Sequence, residues 1–255
     1  MSVPGAETLR DIEADTARRG ERVALATGLG YGVGMVGERL FRDAPALLLL
    51  VFMTNYLGIP AVWAGVAIFV PKLLLVFVDP FVGFRSDTST SRLGRRKPFL
   101  TLGAFLSAAA FVLMFDVPTI ASTPLRTLYM TVLIGAAFAV YSVYSVPYLS
   151  FASDLSTDPY QRTRLLAYRM AFLAVGLNLS ASAGVVIEHL GGGVTGYARM
   201  SYLYGILCLV TMLSPVVVLR DQPVVGRERG ERGERGERRE LRYLAAVRVV
   251  LADRS

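Results

Sequence analysis

Asp79-Pro-Phe-Val-Gly-Phe-Arg-Ser-Asp-Thr-Ser-Thr-Ser-Arg-Leu-Gly-Arg-Arg-Lys-Pro98 joins two long apolar segments. Between Gly83 and Pro98 five of the six charged residues are positive: Arg85, Arg92, Arg95, Arg96 and Lys97 against Asp87. Short loops rich in Arg and Lys are retained on the cytoplasmic side of a membrane, so this loop orients the chain on either side of it. Working outward, apolar runs of spanning length predict membrane segments at about 61–83 and 99–117, then 127–147, 165–187 and 201–219.

Composition agrees with an all-α membrane protein. Hydrophobic residues make up 53% of the 255 residues, in runs too long for the core helices of a soluble domain. The net charge of +7 does not indicate nucleic acid, because the basic residues flank apolar runs or lie in a tail, without an aromatic-interleaved basic face. Cys208 is the lone cysteine and lies in an apolar run, so neither a disulfide framework nor a zinc site is expected. His189, beside Glu188, reads as a solvated turn residue. No secretory signal peptide is expected, since a charged tail precedes the first apolar stretch; that first membrane helix must direct its own insertion.

Three regions follow. Residues 1–22 mix acids and arginines and read as a mobile or surface-lying cytoplasmic tail; 23–220 form a six-helix transmembrane bundle; 221–255 form a charged cytoplasmic linker. Within 23–57 the cluster Glu38-Arg-Leu-Phe-Arg-Asp43 divides two apolar halves, each too short to cross alone, which predicts one long helix. Glu38/Arg42 and Arg39/Asp43 are then each one turn apart and can pair. Gly28, Gly30, Gly32, Gly34 and Gly37 let neighbouring helices approach closely. Six crossings place both termini on one side, and the charged loops place that side in the cytoplasm of a cell-membrane protein. The Gly-Glu-Arg run of residues 226–240 has nothing to bury and reads as hydrated linker, followed at 241–251 by a short basic amphipathic helix.

Ionisable groups inside membrane spans are expensive and mark solute or ion paths. The candidates are Arg39, Asp43, Lys72, Asp79 and Arg169, with a polar stripe of Tyr141, Ser142, Tyr144, Ser145 and Tyr148 around the helix-bending Pro147. Lys72 and Asp79 are seven residues apart, on one helical face. The competing reading is structural: Lys72 snorkels, Asp79 caps a helix end, and the Tyr/Ser stripe joins helices. An enzyme is not expected, because the spans hold no nucleophile–base pair or metal triad.

Tyr31-Gly-Val-Gly-Met-Val-Gly37, the Asp79 to Pro98 stretch, and Val146-Pro-Tyr148 followed by Arg162-Thr-Arg164 resemble the glycoside-pentoside-hexuronide:cation symporter branch of the major facilitator superfamily, to which the melibiose permeases belong. The resemblance covers about residues 23–220. It implies a 12-helix fold of two six-helix halves, alternating access, and a small solute, sugar or anion, moved with Na⁺ or H⁺ and without a cofactor. It further implies that Asp79 is a retained cation carboxylate while its companion one turn earlier is Leu75. Tyr141 and Ser142 match a retained tyrosine and a cation-ligand hydroxyl, and Arg169 matches the arginine of the fifth segment. The family's sugar-binding aspartate falls at Arg39, its shared aspartate at Ser145 and its sugar-stacking tryptophan at Leu149. With two carboxylates replaced, a proton on Asp79 is expected rather than Na⁺. Arg39, Lys72 and Arg169 suit an anionic solute better than a galactoside. Gly83, Asp87, Arg92, Arg95 and Arg96 resemble the superfamily's cytoplasmic gate. The chain matches only the first half of that fold, so it is expected to work with a second six-helix half or a second copy of itself. The alternative is a non-transporting membrane interaction or scaffold protein that keeps the half-transporter fold.

Overall fold

The computed structural model describes residues 5–89, 96–155 and 159–218, with side chains described at 25–73, 75–86, 89, 96–150 and 163–218. Among the described residues there is helix and no strand. The first helix, α1, is Gly5–Val51. The stretch expected as a tail is therefore helical from Gly5 and runs unbroken into the first span. Residues 6–19 contain neither Gly nor Pro and are rich in Ala, Glu and Arg, which favour helix. The single long helix expected over 23–57 is present, with Pro45 inside it and a wide helical turn, Phe52–Tyr56, at its end. That turn is closed by Leu57 N–H donating to the Phe52 carbonyl at 3.1 Å. Gly58, at φ 62°, then reverses the chain in a backbone region that favours glycine.

The remaining helices are α2 (Ala61–Thr88), α3 (Lys97–Phe115), α4 (Thr123–Leu155), α5 (Pro159–Ala181), α6 (Ala183–His189) and α7 (Gly193–Val218). By length and composition α2, α3, α4 and α7 can each cross a membrane, and α5 with α6 forms a fifth, broken span bent by 42°. α1 carries Glu38, Arg39, Arg42 and Asp43 in its last third and is not among those apolar spans. The bend at Ser182 has a local cause: Ser180 Oγ donates to the Gly176 carbonyl at 2.9 Å and Ser182 Oγ to the Leu179 carbonyl at 2.8 Å, competing with the helix ladder. The linker at 221–255 lies outside the described residues.

Lipid tails are as apolar as leucine, so helices in a bilayer associate through close packing rather than by escaping water. The α1 glycines work in this way on two faces. A Cβ on Gly28 or Gly32 would overlap Tyr168 or Phe172 of α5, and one on Gly30, Gly34 or Gly37 would overlap Val218, Pro215 or Thr211 of α7. α1 thus sits between α5 and α7; α3 sits between α7 and α4; α2 packs on α4. The backbones of α1 and α4 seldom approach, and large side chains fill the space between them. Tyr31, Phe41, Tyr144 and Tyr148 are all buried there. Trp63, Phe69, Phe77, Phe81 and Phe84 of α2 face outward, as hydrocarbon contact requires.

Candidate functional site

The α1–α4 face is organised in layers. Tyr31, Met35 and Glu38 lie at i, i+4 and i+7 along one stripe of α1. At the level of Tyr31, its hydroxyl donates to the Tyr148 carbonyl at 3.3 Å, while the Tyr148 hydroxyl donates to the Tyr31 carbonyl at 2.7 Å. The two rings stack with centroids 4.9 Å apart, and Tyr144 stacks on the far side of Tyr148 at 5.3 Å. Arg169 of α5 lies against the same layer, its Nε donating to Met35 Sδ at 3.3 Å and its guanidinium carbon 6.0 Å from the Tyr148 ring centroid.

The next layer holds the charges. Glu38 is only 3% exposed, which places a carboxylate inside the bundle. Its Oε1 accepts a hydrogen bond from the Tyr141 hydroxyl, and its Oε2 lies 3.4 Å from Arg39 Nε without a hydrogen bond of its own. Arg39 Nη1 is also 3.9 Å from Asp43 Oδ2. One guanidinium is therefore shared by two carboxylates. α5 makes room for it at Gly176, where a Cβ would sit 2.7 Å from Arg39 Cβ. Of the two pairs expected from four-residue spacing, Arg39/Asp43 forms. Glu38 pairs with Arg39 rather than Arg42, because its side chain is drawn towards Tyr141 on α4 while Arg42 is exposed. Phe41 stacks on Tyr141 with centroids 4.9 Å apart and fixes that ring.

α2 supplies the third group. The Ser142 hydroxyl donates to Asp79 Oδ1, which joins α4 to α2 and brings together two residues singled out in the sequence. Asp79 is on the exposed side of α2, in mid-helix rather than at a cap, since α2 continues to Thr88. Lys72 lies two turns away with Nζ 5.9 Å from the Phe138 ring centroid. Ser145 is buried on α4, one turn beyond Tyr141. Leu75 is half-buried at the level between Lys72 and Asp79.

Of the expected cytoplasmic gate, Arg92 and Arg95 lie outside the described residues and the Asp87 side chain outside the described side chains. Arg96 is buried and its Nη1 donates to the Ser150 carbonyl of α4 at 2.6 Å, which ties the start of α3 to α4. Gly83 packs on α4, where a Cβ would meet Val146 Cγ1 at 3.6 Å. Sequence reasoning noted the charge of Glu38 but left it out of the path, and did not single out Tyr31. Their shared helical stripe with Met35 was the available signal.

The family profile described as MFS/sugar transport protein matches residues 30–255. Among curated proteins the chain is similar to the inner membrane symporter YicJ of Escherichia coli, at 26% identity over 69% of this chain and 38% of the relative. It is also similar to a candidate sulfoquinovose importer of Escherichia coli, at 28% identity over 75% of this chain and 42% of the relative. A candidate glycoside/cation symporter of that organism, YagG, is 29% identical over 75% of this chain and 40% of the relative. The chain therefore spans about two fifths of the length of these relatives.

Proposed function

Because the chain belongs to the MFS/sugar transport protein family, we propose that it forms the first six-helix half of a secondary active transporter in the cell membrane, with both ends of that half cytoplasmic. The half works against a second six-helix bundle, since alternating access rocks one bundle on the other about a midplane site. The solute is a small, hydroxylated anion, and it moves together with a proton.

The observation that carries this reading is the Asp79–Ser142 hydrogen bond between α2 and α4, within the helix and two turns from Lys72. A carboxylate on the open side of α2, held by one hydroxyl, can take up and release a proton as the two bundles rock. A hard metal cation needs a full shell of oxygen ligands, and Leu75, one turn before Asp79, offers none. Support for an anionic solute comes from the cations. Arg39 is neutralised by Glu38 and Asp43, whereas the contacts described for Lys72 and Arg169 are with uncharged groups: the Phe138 ring for Lys72, and Met35 Sδ, the Tyr148 ring and the Tyr31 hydroxyl for Arg169. The name of one relative, a candidate sulfoquinovose importer, describes a sulfonated sugar as its cargo.

The test is uptake by proteoliposomes that contain this chain and a second six-helix half, driven by an imposed proton gradient. Asp79→Asn should lower the proton-driven accumulation of solute while sparing solute exchange across the membrane. Accumulation by Asp79→Asn at the unsubstituted rate would end the assignment of coupling to Asp79.

A further inference from the structure

Glu38 stands apart from the other acids of the bundle. Together with Arg96 it makes up the buried charged residues among the described side chains, and Arg96 reaches backbone of α4 at Ser150. Glu38 lies in the layer between the Tyr31/Tyr148 pair and Phe41, held from α4 by Tyr141 and from its own helix by Arg39. Its second oxygen is buried and receives no hydrogen bond. That is a position where a proton can be added without breaking the Tyr141 bond.

We propose that Glu38 is a second protonation site, distinct from Asp79, whose charge decides whether Arg39 is available to the solute. While Glu38 is ionised it holds the Arg39 guanidinium. When Oε2 takes a proton from water on one side of the membrane, that attraction ends. Arg39 then keeps only the 3.9 Å contact to Asp43 and can turn to the anionic group of a solute. Release of the solute lets Glu38 ionise again, and the proton leaves to the water on the other side. One anion and one proton thus enter and leave the layer together, so its net charge stays constant where uncompensated charge is most costly.

The groups around Glu38 allow this exchange. On α1 they are Tyr31, Arg39, Arg42 and Asp43; α4 presents Tyr141, whose hydroxyl holds Oε1, and Tyr144 and Tyr148 stacked in the adjoining layer. α7 contributes Cys208, whose thiol donates to the Gly37 carbonyl at 3.6 Å. Arg169 of α5 lies beyond Tyr148, and α2 contributes Lys72 and Asp79, contacting Phe138 and Ser142. Arg39 is the cation that ion-pairs with Glu38 among the described residues. The proposal rests on the anionic-solute reading for the role of Arg39, but not for the protonation of Glu38.

Two measurements on the protein in lipid nanodiscs separate these parts. The first follows the carboxylic-acid C=O stretch by infrared difference spectroscopy as pH is raised. A band that titrates in the unsubstituted protein should be missing in Glu38→Gln and retained in Asp79→Asn. The second measures binding of sulfoquinovose, with glucose as the uncharged control. Sulfoquinovose affinity should fall about tenfold per pH unit above the titration midpoint, as one-proton linkage requires, and should lose that slope in Glu38→Gln. Tyr141→Phe removes the hydrogen bond to Oε1 and keeps the acid, so the carboxylic-acid C=O band should persist at higher frequency; this variant serves if Glu38→Gln does not fold. An unchanged band in Glu38→Gln, or a band at the unsubstituted frequency in Tyr141→Phe, overturns the protonation site. A titrating Glu38 band without sulfoquinovose binding at any pH overturns the release of Arg39 to an anion and leaves the protonation site standing.

Discussion

A methyl group on Gly103 would sit 2.7 Å from the backbone nitrogen of Tyr144, so α3 and α4 touch there backbone to backbone. Gly103→Ala must therefore push two helices apart, and overpacking of this kind costs about 1–3 kcal/mol. Thermal unfolding in detergent should show it, whereas Gly184→Ala, which meets nothing within 4 Å, should behave as the parent. The tyrosine pair offers a finer comparison. Tyr148→Phe deletes a 2.7 Å bond and should cost about 1 kcal/mol. Tyr31→Phe deletes a 3.3 Å bond and should cost less, and negligible losses in both variants would show that the stacked rings, not the hydroxyls, hold this layer. At this scale the sequence marked Arg39, Asp79, Tyr141 and Ser142 as residues of interest but not their partners. Four-residue spacing cannot show whether Glu38 turns along its own helix or across to α4. That choice depends on Tyr141, 103 positions away.

Among the helices, the opposite end of the bundle from Arg96 is tied by Arg126. Its Nε and Nη2 donate to the Ile120 carbonyl and its Nη1 to the Leu57 carbonyl, so one guanidinium clamps the α3–α4 and α1–α2 loops together. Arg126→Ala should lower stability by about 1–3 kcal/mol through the loss of charged hydrogen bonds. Arg126→Lys should recover only part of this, because an ammonium lacks the planar fork that reaches two carbonyl groups; full recovery in the unfolding midpoint would count against the clamp. Helix positions were largely legible beforehand. The expected segments at about 61–83, 99–117, 127–147 and 201–219 all lie within or overlap α2, α3, α4 and α7, since hydropathy over some 20 residues is a strong local signal. The break at Ser182 was not legible. It arises from hydroxyls that can bond backward to carbonyls or outward to a neighbour, and Ser182 also lies 3.3 Å from the Tyr204 hydroxyl of α7.

As a whole, the molecule is a bundle in which α1 is packed tightly against α5 and α7 but meets α4 through side chains. A transport cycle needs such a face to open towards a partner bundle. This chain reconstituted alone should therefore bind solute without accumulating it, and gradient-driven uptake should return when a second six-helix half is added; accumulation by the isolated monomer would contradict the two-half reading. The family, the membrane-spanning class and the order of the helices followed from the sequence by itself, because hydropathy runs, loop charge and the Asp79 to Pro98 motif are local properties that survive without knowledge of neighbours. Tertiary structure alone decided which charges are neutralised, that Glu38 is buried against Tyr141, that Asp79 bonds to Ser142, and that Arg96 reaches the Ser150 carbonyl of α4. Those outcomes depend on how the glycine faces of α1 seat it between α5 and α7, a distance-setting effect that residue spacing does not encode.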